Sequence, residues 1–88
     1  MYKLYILRNS VNKLYIGQTK NLEKRLQEHK TSKGAKYLRD FGKNFKLVYT
    51  EKYPTLIKAM RREKQIKGWT RAKKEALISG NKIKLKEL

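Results

Sequence analysis

Glu63 stands in the middle of an apolar stripe. Leu56, Ala59 and Met60 precede it by seven, four and three residues and Ile66 follows by three, so helical periodicity turns its carboxylate toward the interior. Lys58, Arg61, Arg62 and Gln65 take other faces. A rim pairing with Lys67 would contribute only about 0.3–0.5 kcal/mol, whereas enclosing a carboxylate without good partners costs several kcal/mol. A cation, a metal ion or Arg25 would explain an inward Glu63 better. Arg25 and His29 raise the same question, because they lie three and seven residues from Leu22 and share the stripe that Leu22 and Leu26 define. Two tyrosines, Tyr5 and Tyr15, recur in matching Tyr-Ile pairs near the start of the chain.

Together these groups are the inventory for metal-assisted phosphodiester hydrolysis. One carboxylate with water and phosphate can hold a hard divalent ion, Mg2+ or Mn2+. A guanidinium offers two donors to charge growing on phosphoryl oxygens. A tyrosine, with an ordinary pKa of about 10, acts as a base only if nearby positive charge lowers that value. A two-metal site is not expected, since Glu23, Glu28, Asp40, Glu75 and Glu87 fall on polar faces or in loops.

The elements that must position these side chains follow from local patterns. Residues 2 to 8 read as a strand apolar on both faces, and Leu14 to Gln18 as its hairpin partner. If residues 9 to 13 form the loop, Arg8 faces Leu14, Tyr5 faces Gly17, and the two tyrosines share a side; a loop one residue shorter or longer would separate them. Gly17 would then leave open space opposite Tyr5 for a phosphate. Asn21 is an N-cap for a helix to about Lys30. Phe45 to Tyr53 reads as a third strand, with Phe45, Leu47, Tyr49, Glu51 and Tyr53 on one parity. Thr55 caps a second helix that ends at Gly68 as its C′ residue, and Thr70 caps a third through about Ile78. Trp69 is expected to plug the space between the last two helices, and Glu51 to pair with a surface lysine. The fold class is therefore α+β, with a small three-stranded antiparallel sheet flanked by helices. Residues 1 to 78 form one domain, followed by a basic tail at 79 to 88.

Eighty-eight residues suffice for one modest core. Twenty-four Lys and Arg against 7 acids give a formal charge of +17, which points to a polyanionic partner, nucleic acid before membrane. The chain contains no cysteine, so neither a disulfide framework nor a thiolate metal site is expected. No apolar run approaches the roughly 20 residues of a membrane span, and a soluble, cytoplasmic protein is expected.

The residues resemble the GIY-YIG endonucleases. Leu4-Tyr5-Ile6 looks like the first family motif with its glycine replaced, and Tyr15-Ile16-Gly17 like the second. The stretch from Asn21 to Leu26 with His29 is similar to the segment of the catalytic arginine, and Ala59 to Glu63 to that of the metal-binding glutamate. Gly34 to Tyr37, Lys46 to Tyr49 and Arg71 to Leu77 look most like the small stand-alone members of UPF0213 type. The resemblance implies a metal-dependent DNA endonuclease, structure-specific and serving repair or recombination. It would have Tyr5 and Tyr15 at the scissile phosphate, Arg25 on the pentavalent state, Glu63 on one metal ion, and Tyr15, Tyr5 or His29 as base. Gly17, Lys20, Lys36, Tyr37 and Arg39 would contact nucleic acid, and a protein partner would supply targeting. A binding module with little or no turnover on the same fold is the alternative, and a basic ribosome-associated structural protein is a third reading.

Overall fold

The structure is a computed structural model, and it describes residues 1–30 and 44–80. Strand β1 (Tyr2–Asn9) turns into β2 (Leu14–Thr19), helix α1 (Leu22–Lys30) follows, and β3 (Phe45–Tyr53), α2 (Leu56–Lys67) and α3 (Arg71–Ser79) complete the order. The sheet is antiparallel in the order β2-β1-β3. As the central strand, β1 buries four consecutive residues, Leu4, Tyr5, Ile6 and Leu7, which is why both of its parities are apolar. None of the described helices is long and apolar enough to cross a membrane.

The hairpin register is the one the loop length predicts, with Tyr5 opposite Gly17 and Arg8 opposite Leu14. Asn9 holds the turn: its buried side-chain oxygen accepts from the backbone N–H of Val11 at 3.1 Å and of Lys13 at 2.8 Å, an Asx turn. Asn12 completes it with φ 66°, a left-handed conformation that asparagine tolerates. Arg8 then ties the hairpin to α3 through a two-pronged pair with Glu75 at 2.5 and 2.8 Å.

The two sheet faces carry different cargo. Leu4, Ile6 and Ile16 share one face and pack with Ile66 of α2 and Leu77 of α3, with Val48, Tyr49, Tyr53, Trp69 and Ile78 around them. Tyr5, Tyr15 and Gly17 belong to the opposite face, as the alternation of a strand requires. Along β3 the expected single parity is broken. Ile6 pairs with Tyr49 but Leu7 pairs with Leu47, so Val48 is an extra residue. This bulge sends Phe45 and Leu47 to the tyrosine-pair face and leaves Tyr49, Glu51 and Tyr53 on the core face.

The caps follow the sequence in three places and depart from it in one. The side chains of Asn21, Thr55 and Thr70 accept from the N–H groups of Lys24, Lys58 and Lys73 at 3.1, 3.3 and 3.3 Å. Gly68 does end α2, but with φ −80°, a conformation any residue adopts. The left-handed cap glycine is Gly80, φ 75°, at the end of α3.

Candidate active site

Tyr5 and Tyr15 meet on one face of the hairpin with ring centroids 6.1 Å apart and planes tilted by 40°. The space above Gly17 is not open. A Cβ added there would lie 2.7 Å from both Cζ and Oη of Tyr5, so the glycine is a seat for the Tyr5 ring and not a phosphate entry. Tyr5 is 1% exposed, whereas Tyr15 beside it is only partly buried.

Glu63 projects from α2 into a cleft of about 470 Å³, whose described lining is Ile57, Met60, Arg61, Glu63, Lys64 and Lys67. Its Oε1 lies 3.0 Å from Nζ of Lys67, the carboxylate being 21% exposed and the lysine 53%. This is the rim pairing that periodicity allows, and Arg25 is not the ion-pair partner. The expected apolar stripe is also narrower than its sequence pattern: Ala59 and Ile66 are buried, while Leu56 and Met60 are exposed with Ile57. Packing reaches only one edge of the stripe, so Glu63 sits at its border.

Arg25 is partly buried one turn into α1, whose start is secured by Asn21, and Leu22 and Leu26 flank it on the same stripe. Lys20 is exposed in the short link between β2 and α1. The His29 side chain and residues Lys36, Tyr37 and Arg39 lie outside the described residues. The structure thus joins Tyr5, Tyr15 and Gly17 through the hairpin register, and places Arg25 and Glu63 on two separate helices, that of Glu63 packing through Ile66 on the sheet face opposite the tyrosine pair.

Glu51 has stronger partners than a surface lysine. It receives hydrogen bonds from the hydroxyls of Tyr49 and Tyr53 (2.6 Å for Tyr53) and a fork from Arg62, with Nε at 3.0 Å and Nη2 at 3.2 Å. Burial pushes the Glu51 carboxyl up, but the bonds from Arg62, Tyr49 and Tyr53 outweigh it and hold the group below its ordinary value. Burial, reinforced by the bond to Glu51, raises the Tyr49 and Tyr53 hydroxyls. Arg62 also lies 5.0 Å from the centroid of Trp69, and Lys73 lies 4.5 Å from that ring on α3, so Trp69 joins the two helices through cation–π contacts as well as packing.

The sequence profile of the GIY-YIG catalytic domain matches residues 1–76. The chain belongs to the GIY-YIG family. It is 47% identical over 75 residues to a UPF0213 protein of Oceanobacillus iheyensis, covering 85% of this chain and 86% of that relative. A UPF0213 protein of Syntrophus aciditrophicus is likewise 47% identical over 79 residues, covering 89% and 90%. The solution NMR structure of a UPF0213 protein from Bacillus halodurans superposes with a TM-score of 0.59 at 40% identity, covering 90% of this chain and 84% of that one. The chain is therefore a nuclease-type GIY-YIG domain of UPF0213 type.

Within this GIY-YIG domain, no group of three or more His, Cys, Asp or Glu side chains gathers among the described residues. Among the described residues, Glu63 with water and substrate phosphate could hold a divalent ion, which suits a hard cation that keeps several waters. The Glu63 carboxylate fits that role: it lines a cleft, and its partner is a flexible, half-exposed lysine that can swing away. Sequence reasoning missed Arg62, assigned to an outer face, as the anchor of α2 on β3. The Tyr49-x-Glu51-x-Tyr53 alternation was the available signal, because an acid flanked by aromatics on an inward parity needs a strong partner.

Proposed function

We propose that this protein is a divalent-metal-dependent endonuclease that hydrolyses phosphodiester bonds in DNA, with branched or flapped DNA of repair and recombination as its substrate class. The reading rests on one observation above the others: a carboxylate on a GIY-YIG domain lines a cleft whose other described lining is Arg61, Lys64, Lys67 and the apolar Ile57 and Met60. Magnesium or manganese bound at Glu63 would supply Lewis acidity toward a phosphoryl oxygen. Arg25 would give its fork of donors to the charge that accumulates on the phosphoryl group. Tyr15 is the more accessible tyrosine and would contact the phosphodiester, and Tyr5, seated on Gly17, would hold the Tyr15 ring in place. The proton of the attacking water would pass to His29, or to Tyr15 or Tyr5 in its phenolate form.

Glu63→Gln tests the proposal on flapped and junction DNA with magnesium. The substitution removes a rim ion pair that contributes only about 0.3–0.5 kcal/mol, so the variant folds. Cleavage should fall by more than about a hundredfold, since even outer-shell changes at metal sites cost 10–100-fold, while DNA affinity without metal persists. Equal behaviour of wild type and variant, including cleavage by neither, overturns the enzyme reading. The second reading, a binding module on the same fold, is favoured by the Glu63–Lys67 pair, which satisfies the carboxylate within the protein, and that outcome would establish it.

A further inference from the structure

Side chains directly opposite one another on antiparallel strands hold their Cβ atoms about 4.5–5.5 Å apart, and like charges there repel. This sheet nevertheless sets Lys3 of β1 opposite Lys52 of β3. Thr19 of β2 completes the row on the other side of Lys3. The register runs unbroken from Tyr2 to Ile6, before the bulge, so this row shares its face with the next one: Gly17, Tyr5 and Thr50. The neighbouring acid, Glu51, points to the opposite face and is engaged by Arg62. Among the described residues neither Lys3 nor Lys52 forms an ion pair. Lys3 is partly buried and Lys52 exposed. The register therefore sets two like charges side by side on the face of the tyrosine pair, with no acid paired to either among the described residues.

We propose that Lys3 and Lys52 form a phosphate subsite for the substrate strand, beside the tyrosine pair. The proposal rests on the nucleic-acid reading above and adds where the strand runs. One phosphate between two ammonium groups turns a repulsive pair into two charge-assisted contacts. Two residues along a strand advance about 6–7 Å, the order of one step along an extended sugar–phosphate chain. Tyr15 stands opposite Leu7, two rows from Lys3, so a strand with one phosphate at Tyr15 presents its second neighbour to the lysine row. Thr19 takes no part, because its hydroxyl is bonded to the Asn21 backbone at 3.2 Å.

The experiment compares Lys3→Gln, Lys52→Gln, the double variant and Lys13→Gln, an exposed lysine in the hairpin turn, as a control for net charge. Urea unfolding gives stability, and a fluorescent flapped DNA titrated without metal across a salt series gives affinity. The two single variants should be as stable as wild type or more so, yet bind about 3–10-fold more weakly, the size of one ordinary hydrogen bond net of competition from water. The double variant should lose less than the product of the singles, with a salt slope reduced by about one, because both lysines hold one phosphate. Losses no larger than that of Lys13→Gln, or additive losses with a slope reduced by about two, overturn the subsite. If wild type itself fails to bind DNA, or binds with no salt dependence, the nucleic-acid reading falls and the subsite with it. Binding without cleavage leaves the subsite test intact.

Discussion

Replacing Gly17 by alanine would put a methyl carbon 2.7 Å from Cζ and Oη of Tyr5 and 3.1 Å from Cε1 of Tyr15. Carbon atoms prefer separations of about 3.5–4.0 Å, so the overlap with Tyr5 approaches 1 Å. The Tyr5 ring cannot yield by moving into solvent, because it is 1% exposed and packed over the hairpin. Overpacking of this kind costs about 1–3 kcal/mol, against which alanine recovers roughly 0.5–1 kcal/mol of backbone entropy in a strand. The difference is a loss of up to about 2.5 kcal/mol, centred on about 1 kcal/mol. At about 4–8 °C per kcal/mol for a domain of this size, Tm should fall by roughly 4–8 °C at that centre in far-UV circular dichroism melts. Tyr5→Phe in the Gly17→Ala background removes one of the two crowded atoms, so the pair should couple by at least about 0.5 kcal/mol in a double-mutant cycle. A melt within about 1 °C of wild type, or strict additivity with Tyr5→Phe, would refute the idea that the glycine exists to seat the ring.

Glu51→Gln would leave the Arg62 guanidinium without its counter-charge in a partly buried site where both side chains are less than a quarter exposed. The expected cost is about 1–3 kcal/mol by urea unfolding, and a cost below about 0.5 kcal/mol would show that α2 does not depend on this anchor. Acid stability should depend on Glu75, whose carboxyl is held down at about 2 by the hydrogen bonds from Arg8, with Arg71 assisting. Because the folded value lies below the unfolded one, this stabilisation is complete above the ordinary carboxylate range and is lost as pH falls toward about 2. Glu51, also lowered, adds a loss of the same sign. Unfolding at about pH 5 and about pH 3 should therefore show a smaller acid loss in Glu75→Gln than in wild type; equal slopes would contradict the Arg8–Glu75 assignment.

Much of the fold was legible in short stretches of chain because its causes are local. A side chain at Asn21, Thr55 or Thr70 reaches an amide three residues away whatever the rest of the molecule does. The hairpin register depends only on the length of its loop, and residues 9 to 13 place Tyr5 and Tyr15 on one face once Asn9 closes the turn. The candidate site was legible as an inventory of residues, since Glu63, Arg25 and the tyrosines declare themselves by type and period. Their mutual arrangement was not, because it depends on how helices seat on the sheet.

The amino-acid sequence by itself determined the α+β order of elements, the caps, the hairpin register and the family motifs. Each of these is a contact between near neighbours or a property of residue types. Only the tertiary structure decided that Tyr5 fills the space above Gly17, that Val48 is bulged and turns Leu47 away from the core face, and that Glu51 is met by Arg62. It also decided that Glu63 stands at the border of its helix stripe, paired with Lys67 in a basic cleft. Periodicity specifies which side chains share a face of one element, whereas the partner facing them is set by packing between segments far apart in the chain.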